Sequence, residues 1–171
     1  MARGYAPRLN KVEQRWAVLI IPALSVLLGS LISVLPHMAL YPLLPPFGLL
    51  LLLGWRLLVR DIWSAWAALP LGFFDDLLSG QPLGSSMFLW TLALLVLGLC
   101  DRWMMWRDYR QDWAIASLLI IFALLGGLAI ANMAGGQTRA FILIPQIIVS
   151  LLFFPLIVRM CGGLDRLRWS L

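Results

Sequence analysis

The feature that most constrains this chain is an alternation of long apolar runs with short polar clusters, repeated from one end to the other. The runs fall at about 17–35, 47–59, 62–78, 83–100, 113–134 and 140–160. Crossing the hydrocarbon of a bilayer takes ~20 apolar residues at ~1.5 Å rise each. The first run (Ala17 to Leu35), the fourth (Leu83 to Cys100), the fifth (Trp113 to Ala134) and the sixth (Ala140 to Met160) meet that length. The second, Phe47 to Val59, is short and follows Tyr41-Pro42-Leu43-Leu44-Pro45-Pro46. That stretch is too rich in proline for regular helix, so it is expected to cross as extended chain packed on protein or as a broken helix. The third, Ile62 to Leu78, is weakened by Pro70, Gly72, Asp75 and Asp76. Hydrophobic residues make up 62% of the chain and charged residues 12%. Soluble domains carry about 25% charged residues. So few polar side chains leave a water-facing surface uncovered, and the whole of 1–171 reads as a single integral membrane domain, an all-α polytopic bundle of about six helices.

Charge gives an independent check on that count. If residues 1–15 are cytoplasmic, Lys and Arg should gather there, in the second and fourth loops, and in the tail at 161–171. Arg3, Arg8, Lys11 and Arg15 precede the first run, and Arg56 and Arg60 flank the second loop. Arg102, Arg107 and Arg110 fill the fourth loop, and Arg159, Arg166 and Arg168 close the chain. Of the thirteen cations, only Arg139 falls on the outer side. Five spans would break the alternation. Eight of the nine tryptophans lie near the proposed cytoplasmic ends, where an amphipathic ring favours the headgroup layer, and only Trp90 sits deep in a run.

Several function classes lose ground on the same residues. A net charge of +5 suggests nucleic acid only when cations share one face with aromatics for bases to stack on. Here they are spread between apolar runs, so nucleic acid is not an expected partner. Cys100 and Cys161 form no Cys-x-x-Cys pair and read as packing residues on the reducing side. The first run is too long for a signal-peptide core and ends at Pro36-His37 without a small-residue cleavage site, so it is expected to stay as a signal anchor. No phosphate-binding loop, cofactor motif or metal spacing occurs, and the loops are too short for a folded outer domain. The residues usual in acid–base or nucleophilic chemistry do not gather, so an enzyme is not expected.

Lipid tails are as apolar as leucine, so membrane helices associate through close packing at small residues. Ser25, Gly29 and Ser33 recur every four positions in the first run, and Ala123, Gly127, Ala131 and Gly135 do so in the fifth. Each series lines one helix face and is expected to form a seam within the bundle or against a partner.

The segment with chemistry is Leu69-Pro70-Leu71-Gly72-Phe73-Phe74-Asp75-Asp76-Leu77-Leu78-Ser79-Gly80-Gln81-Pro82-Leu83-Gly84. A carboxylate near the bilayer is costly and marks function or a specific partner. Gly72, Asp76 and Gly80 share a face at i, i+4 and i+8, while Asp75 points about 100° away. Three readings compete. An aspartate is a proton or ion relay; or Asp76 accepts from free N–H groups at the start of the fourth helix, near Gly84 and Ser85; or an aspartate pairs with Arg139. Asp76 falls within about a turn of the helix end, and no polar path continues across the bilayer, so the two structural readings are preferred.

The same segment resembles the signature of the rod shape-determining protein MreD family: a Gly, a few apolar residues, Asp-Leu-Leu, a small residue, Gly, then Pro-Leu-Gly opening the next helix. Here these are Gly72, Phe73-Phe74, Asp76-Leu77-Leu78-Ser79-Gly80 and, after Gln81, Pro82-Leu83-Gly84. Size, span count and basic ends are similar along the chain, and specificity is concentrated in Gly72 to Gly84. The chain departs from the pattern at Asp75, where the family has an apolar or neutral residue, and the spacing favours Asp76 for the family's role. The resemblance implies a non-enzymatic inner-membrane subunit of the bacterial elongation machinery. Its implied partners are membrane lipid, an MreC-like bitopic protein, an MreB-like actin homologue, and the wall glycosyltransferase and transpeptidase. It also implies a fold similar to the membrane substrate-binding subunits of energy-coupling-factor transporters, which keeps a small-molecule carrier as the alternative. Candidate structural or partner-binding residues are Gly72, Asp75, Asp76, Gly80, Pro82, Gly84 and Arg139.

Overall fold

A computed structural model describes residues 11–32, 44–60, 62–103 and 108–170 of the chain. The regular structure among them is helical: α1 (Lys11–Ile32), α2 (Phe47–Leu58), α3 (Ala68–Ser79), α4 (Ser85–Trp103), α5 (Tyr109–Met133) and α6 (Ile144–Ser170). Single 3₁₀ turns at Ala65–Ala67 and Ala140–Leu143 lead into α3 and α6. Among the described residues three stretches are long and apolar enough to cross a membrane: Ser85–Trp103, Tyr109–Met133 and Ala140–Arg166. The outer faces of α4, α5 and α6 are apolar, with Leu95, Leu99, Leu118, Phe122, Leu152 and Leu156 exposed. So much contiguous apolar surface calls for a partner other than water. The expectations for His37, Ser33, the cleavage site, the cations of residues 1–10 and Arg107 lie outside the described residues, as does the first half of the proline-rich lead-in to α2, residues 41–43.

Helix α2 is the hub. Its residues from Gly48 to Arg56 are all buried, with α1 against one side and α6 against another. A helix that is apolar all round belongs inside a bundle. Position in the core, more than length, accounts for the leucines that make the second run so apolar. The α1 stripe seats here: a Cβ on Gly29 would lie 3.2 Å from the Gly48 nitrogen and 2.5 Å from Leu51 Cδ1. The stripe on α5 is less regular than its spacing suggests. Gly127 is buried with moderate clearance, whereas the tight approach is at Gly126, where a Cβ would come 2.6 Å from Leu89 Cδ2 on α4. Gly135 lies beyond the helix at φ 106°, exposed.

Two expectations need correction. The third helix begins at Ala68, six residues later than the run at Ile62 suggested, and is 12 residues long. Ser64 is extended and its hydroxyl accepts from Trp66 N, which starts a 3₁₀ turn in place of α-helix. Pro70 then fits within the first helical turn, where no backbone donor is needed. The tryptophans also divide. Trp66 and Trp103 are exposed, in keeping with interfacial anchors, but Trp55 and Trp63 are buried. The Trp55 indole Nε1 donates to Ser25 Oγ of α1 at 2.7 Å, so this ring is a core strut. A buried indole needs such an acceptor, and a helical serine thirty residues away supplies it.

Candidate functional site

The Gly72–Gly84 segment folds into the end of α3, a tight loop and the start of α4. Gly72 lets the two helices meet backbone to backbone, because a Cβ there would fall 2.7 Å from both N and Cα of Met87. No side chain can relax that overlap, so glycine is required for this approach. Helix α3 stops at Gly80, which takes the left-handed conformation at φ 68°. Gly84, at φ 97°, turns the chain again just before α4. Ser85 N donates to Pro82 O at 3.1 Å, closing the loop between the two glycines. This corrects one sequence reading. Gly80 does not continue the small-residue face with Gly72 and Asp76; it caps the helix, and a Cβ there would meet nothing within 4 Å.

Asp76 ties this loop to α4. Its side chain is 1% exposed. Oδ2 accepts from Gly84 N at 2.8 Å, and Oδ1 accepts from Ser86 N at 2.8 Å and Ser85 Oγ at 3.0 Å. Two of the donors are backbone N–H groups at the N-terminus of α4, where no intrahelical partner exists. The carboxylate therefore sits at the positive end of the α4 dipole with charge-assisted bonds to replace water. Burial of an anion is tolerated under those conditions and few others.

Asp75 faces a different way. Its Oδ2 accepts from Ser86 Oγ at 3.0 Å, and Ser30 of α1 also approaches the carboxyl. Both aspartates thus converge on Ser86, one through its backbone and one through its hydroxyl. Arg139 takes no part: it is exposed in the loop after α5, and the described partners of both carboxylates come from Gly84, the start of α4 and α1. The pairing of an aspartate with Arg139 is replaced by the α4 cap. Asn132, not Arg139, organises the loop after α5, with Nδ2 donating to Thr138 O at 2.9 Å and Oδ1 accepting from Thr138 N at 3.0 Å.

Asp75 also lines a cavity of about 200 Å³ between α2, α4, α5 and the start of α6, beside the α3–α4 loop. Ser86, Gln81 and Gln146 add polar groups, and Leu49, Trp90 and Ala123 are among its apolar walls. Gln146 Nε2 donates to Leu44 O at 2.9 Å, which fixes the start of α6 against the lead-in to α2. Gln81 and Gln146 escaped the sequence reading. Gln81 lay within the singled-out segment; nothing in the pattern brought Gln146, sixty-five residues on, to the same cavity.

A second polar contact was also missed. Arg56 at the end of α2 is buried and donates through Nη2 to Asp101 Oδ2 of α4 at 2.6 Å. Arg56 had read as a loop cation; the matching signal was an acid placed just inside the next basic cluster, at Asp101.

No protein-family model, curated protein or solved structure matches this chain.

Proposed function

We propose that this chain is a non-enzymatic membrane scaffold of the bacterial elongation machinery, of the MreD type, that holds wall-synthesis partners in position. The observation that carries the reading is what the residues of the resemblance do together. Gly72, Asp76, Gly80, Pro82 and Gly84 all serve one rigid α3–α4 junction, and each has a geometric task there. Asp76 has its oxygens committed to α4 donors, which suits a fixed support better than a group that must gain and lose a proton in each cycle. The junction leaves Phe73, Leu77 and Leu83 exposed around it, a surface for a partner helix.

On this reading the chain crosses the cytoplasmic membrane six times with both ends inside. Its fold is similar to the membrane substrate-binding subunits of energy-coupling-factor transporters, and its neighbours are an MreC-like bitopic protein, an MreB-like filament protein, and the wall glycosyltransferase and transpeptidase. The arrangement of Arg and Lys supports the orientation.

A second reading, a small-molecule carrier, is favoured by the polar-ended cavity beside Asp75. Its size argues against it: about 200 Å³ is below the ~300–1,000 Å³ of ordinary ligand pockets. Photocrosslinkers at Leu77 and Leu83 in growing cells separate the two readings. Covalent capture of an MreC-like protein or the wall-synthesis pair is the expected result. Purified protein that carries a stoichiometric small molecule released by Asp75→Asn, with neither partner captured, would overturn the scaffold.

A further inference from the structure

We infer that a cleft between the α2–α3 connection and the outer face of α4 is a site for one anionic phospholipid. The cleft encloses about 470 Å³ and is lined by Arg56, Trp63 and Arg102 at its polar part and by leucines of α4, Leu95 and Leu99 among them, along its wall. This inference rests on the membrane reading above and adds to it a bound lipid of stated charge.

Three observations point to that occupant. The first is charge. Arg56, Asp101 and Arg102 together leave one net positive charge at the cleft, and Arg102 is exposed. Guanidinium groups carry five N–H donors each and no acceptor, more than the Arg56 Nη2 bond to Asp101 Oδ2 uses. The second is an unmet donor. The Trp63 side chain is 8% exposed, and its Nε1 finds no acceptor among the described residues. The Nε1 atom is itself closed to solvent, so a phosphate oxygen beside Arg56 meets it as the ring turns toward the cleft that it lines, and supplies the acceptor that a buried indole N–H requires. The third is the wall. Leu95 and Leu99 are exposed on the side that the long helix α4 turns to its surroundings, and they continue the cleft as an apolar track. A headgroup phosphate on the arginines with an acyl chain along that track satisfies both ends at once. Basic pockets at the cytoplasmic ends of membrane helices take anionic headgroups for this reason. A zwitterionic lipid brings its own cation to an already positive cleft, and so fits less well.

Gly98 gives a way to block the cleft without touching charge. It lines the cleft, and a Cβ there would meet nothing within 4 Å, so Gly98→Leu fills the space at no cost to packing. The test is native mass spectrometry of the full chain in detergent, offered phosphatidylglycerol and phosphatidylcholine in equal amounts. The expected result is one retained phosphatidylglycerol. Arg102→Gln should weaken retention about fivefold, the worth of one cation near a lipid surface. Trp63→Phe, which keeps the ring and removes the N–H, should weaken it about tenfold, as for a bond to a charged group. Gly98→Leu should abolish retention without lowering the melting temperature. Equal retention of the two lipids, or retention indifferent to Gly98→Leu and Arg102→Gln, would overturn the site. Displacement of the lipid by millimolar inorganic phosphate would overturn the lipid assignment in favour of a soluble phosphate compound. Flotation with pure phosphatidylcholine vesicles reads the membrane placement separately. A chain that fails to float removes the reading on which the site rests, whereas one that floats without preferring phosphatidylglycerol removes the site alone.

Discussion

At the scale of the residue, Asp76 is where the sequence bears its largest electrostatic cost and where the structure repays it most fully. Three donors converge on one carboxylate, two of them N–H groups that α4 itself cannot satisfy. Asp76→Ala orphans the two N–H groups, while the Ser85 hydroxyl keeps Gln81 Oε1 at 3.2 Å as an acceptor, and should destabilise the protein by about 2–4 kcal/mol. Asp76→Asn keeps one acceptor oxygen and should lose roughly half as much. Asp75→Asn, whose described hydrogen bond is to a serine hydroxyl free to rotate, should cost least. Thermal unfolding in a mild detergent gives the order, and an Asp76→Ala variant that melts with the wild type would remove the cap from the account. Part of this was legible in sequence. An aspartate a few residues before a glycine-rich break, followed by serines at the next helix start, limits what the carboxylate can reach. Which hydroxyl Asp75 would find was not legible, because that depends on the rotation of α4 about its axis. Gly80 was misread for a related reason: spacing places it on the Asp76 face only if the helix continues, and a glycine two residues before Pro82 is a signal that it stops.

At the scale of the element, the α3–α4 hairpin is held by a contact that only glycine permits. Gly72→Ala places a methyl group within 2.7 Å of the Met87 backbone, and a helix must shift to admit it. A loss of about 1–3 kcal/mol is expected, as for other overpacked contacts. Gly98→Ala on α4 is the matched control. Open space surrounds that position, so the better helix propensity of alanine should leave stability unchanged or raise it by up to about 1 kcal/mol. Parallel melting curves of the two variants decide the matter, and equal effects would show that helix propensity, not the close approach, governs both positions. Long helices were easy to read from hydropathy, since α4, α5 and α6 each carry enough apolar residues to cross alone. Helices α2 and α3 were not, because their limits are set by neighbours. The all-round burial of α2 is a property of the bundle, and the late start of α3 follows from Ser64 and its 3₁₀ turn. The Arg56–Asp101 pair, forty-five residues apart in the chain, exists only once α2 and α4 are packed.

At the scale of the whole molecule, the six-span count depends on whether α3 crosses. Twelve residues of α-helix rise about 18 Å, and the three of the 3₁₀ turn add about 6 Å. That sum is short of the ~30 Å hydrocarbon, yet irregular chain at either end, packed against protein, can complete a crossing. Ser64 and Leu83 flank α3 at its two ends and are both exposed. With Cys100 and Cys161 replaced by alanine, single cysteines at 64 and 83 report the two sides. A membrane-impermeant maleimide applied to spheroplasts should label position 83 and spare position 64 until the membrane is opened. Position 138, in the Asn132-braced loop before Arg139, should behave like 83, and position 109, at the start of α5, like 64. Labelling of 64 and 83 from one side would mean that α3 dips and returns. The charge alternation would then lose its third span, and Asp76 would cap a helix on the same side as the arginines. That outcome would leave the Gly72–Gly84 junction intact as a structure and reverse the face it offers, which makes the sidedness of two residues the sharpest constraint on where a partner can bind.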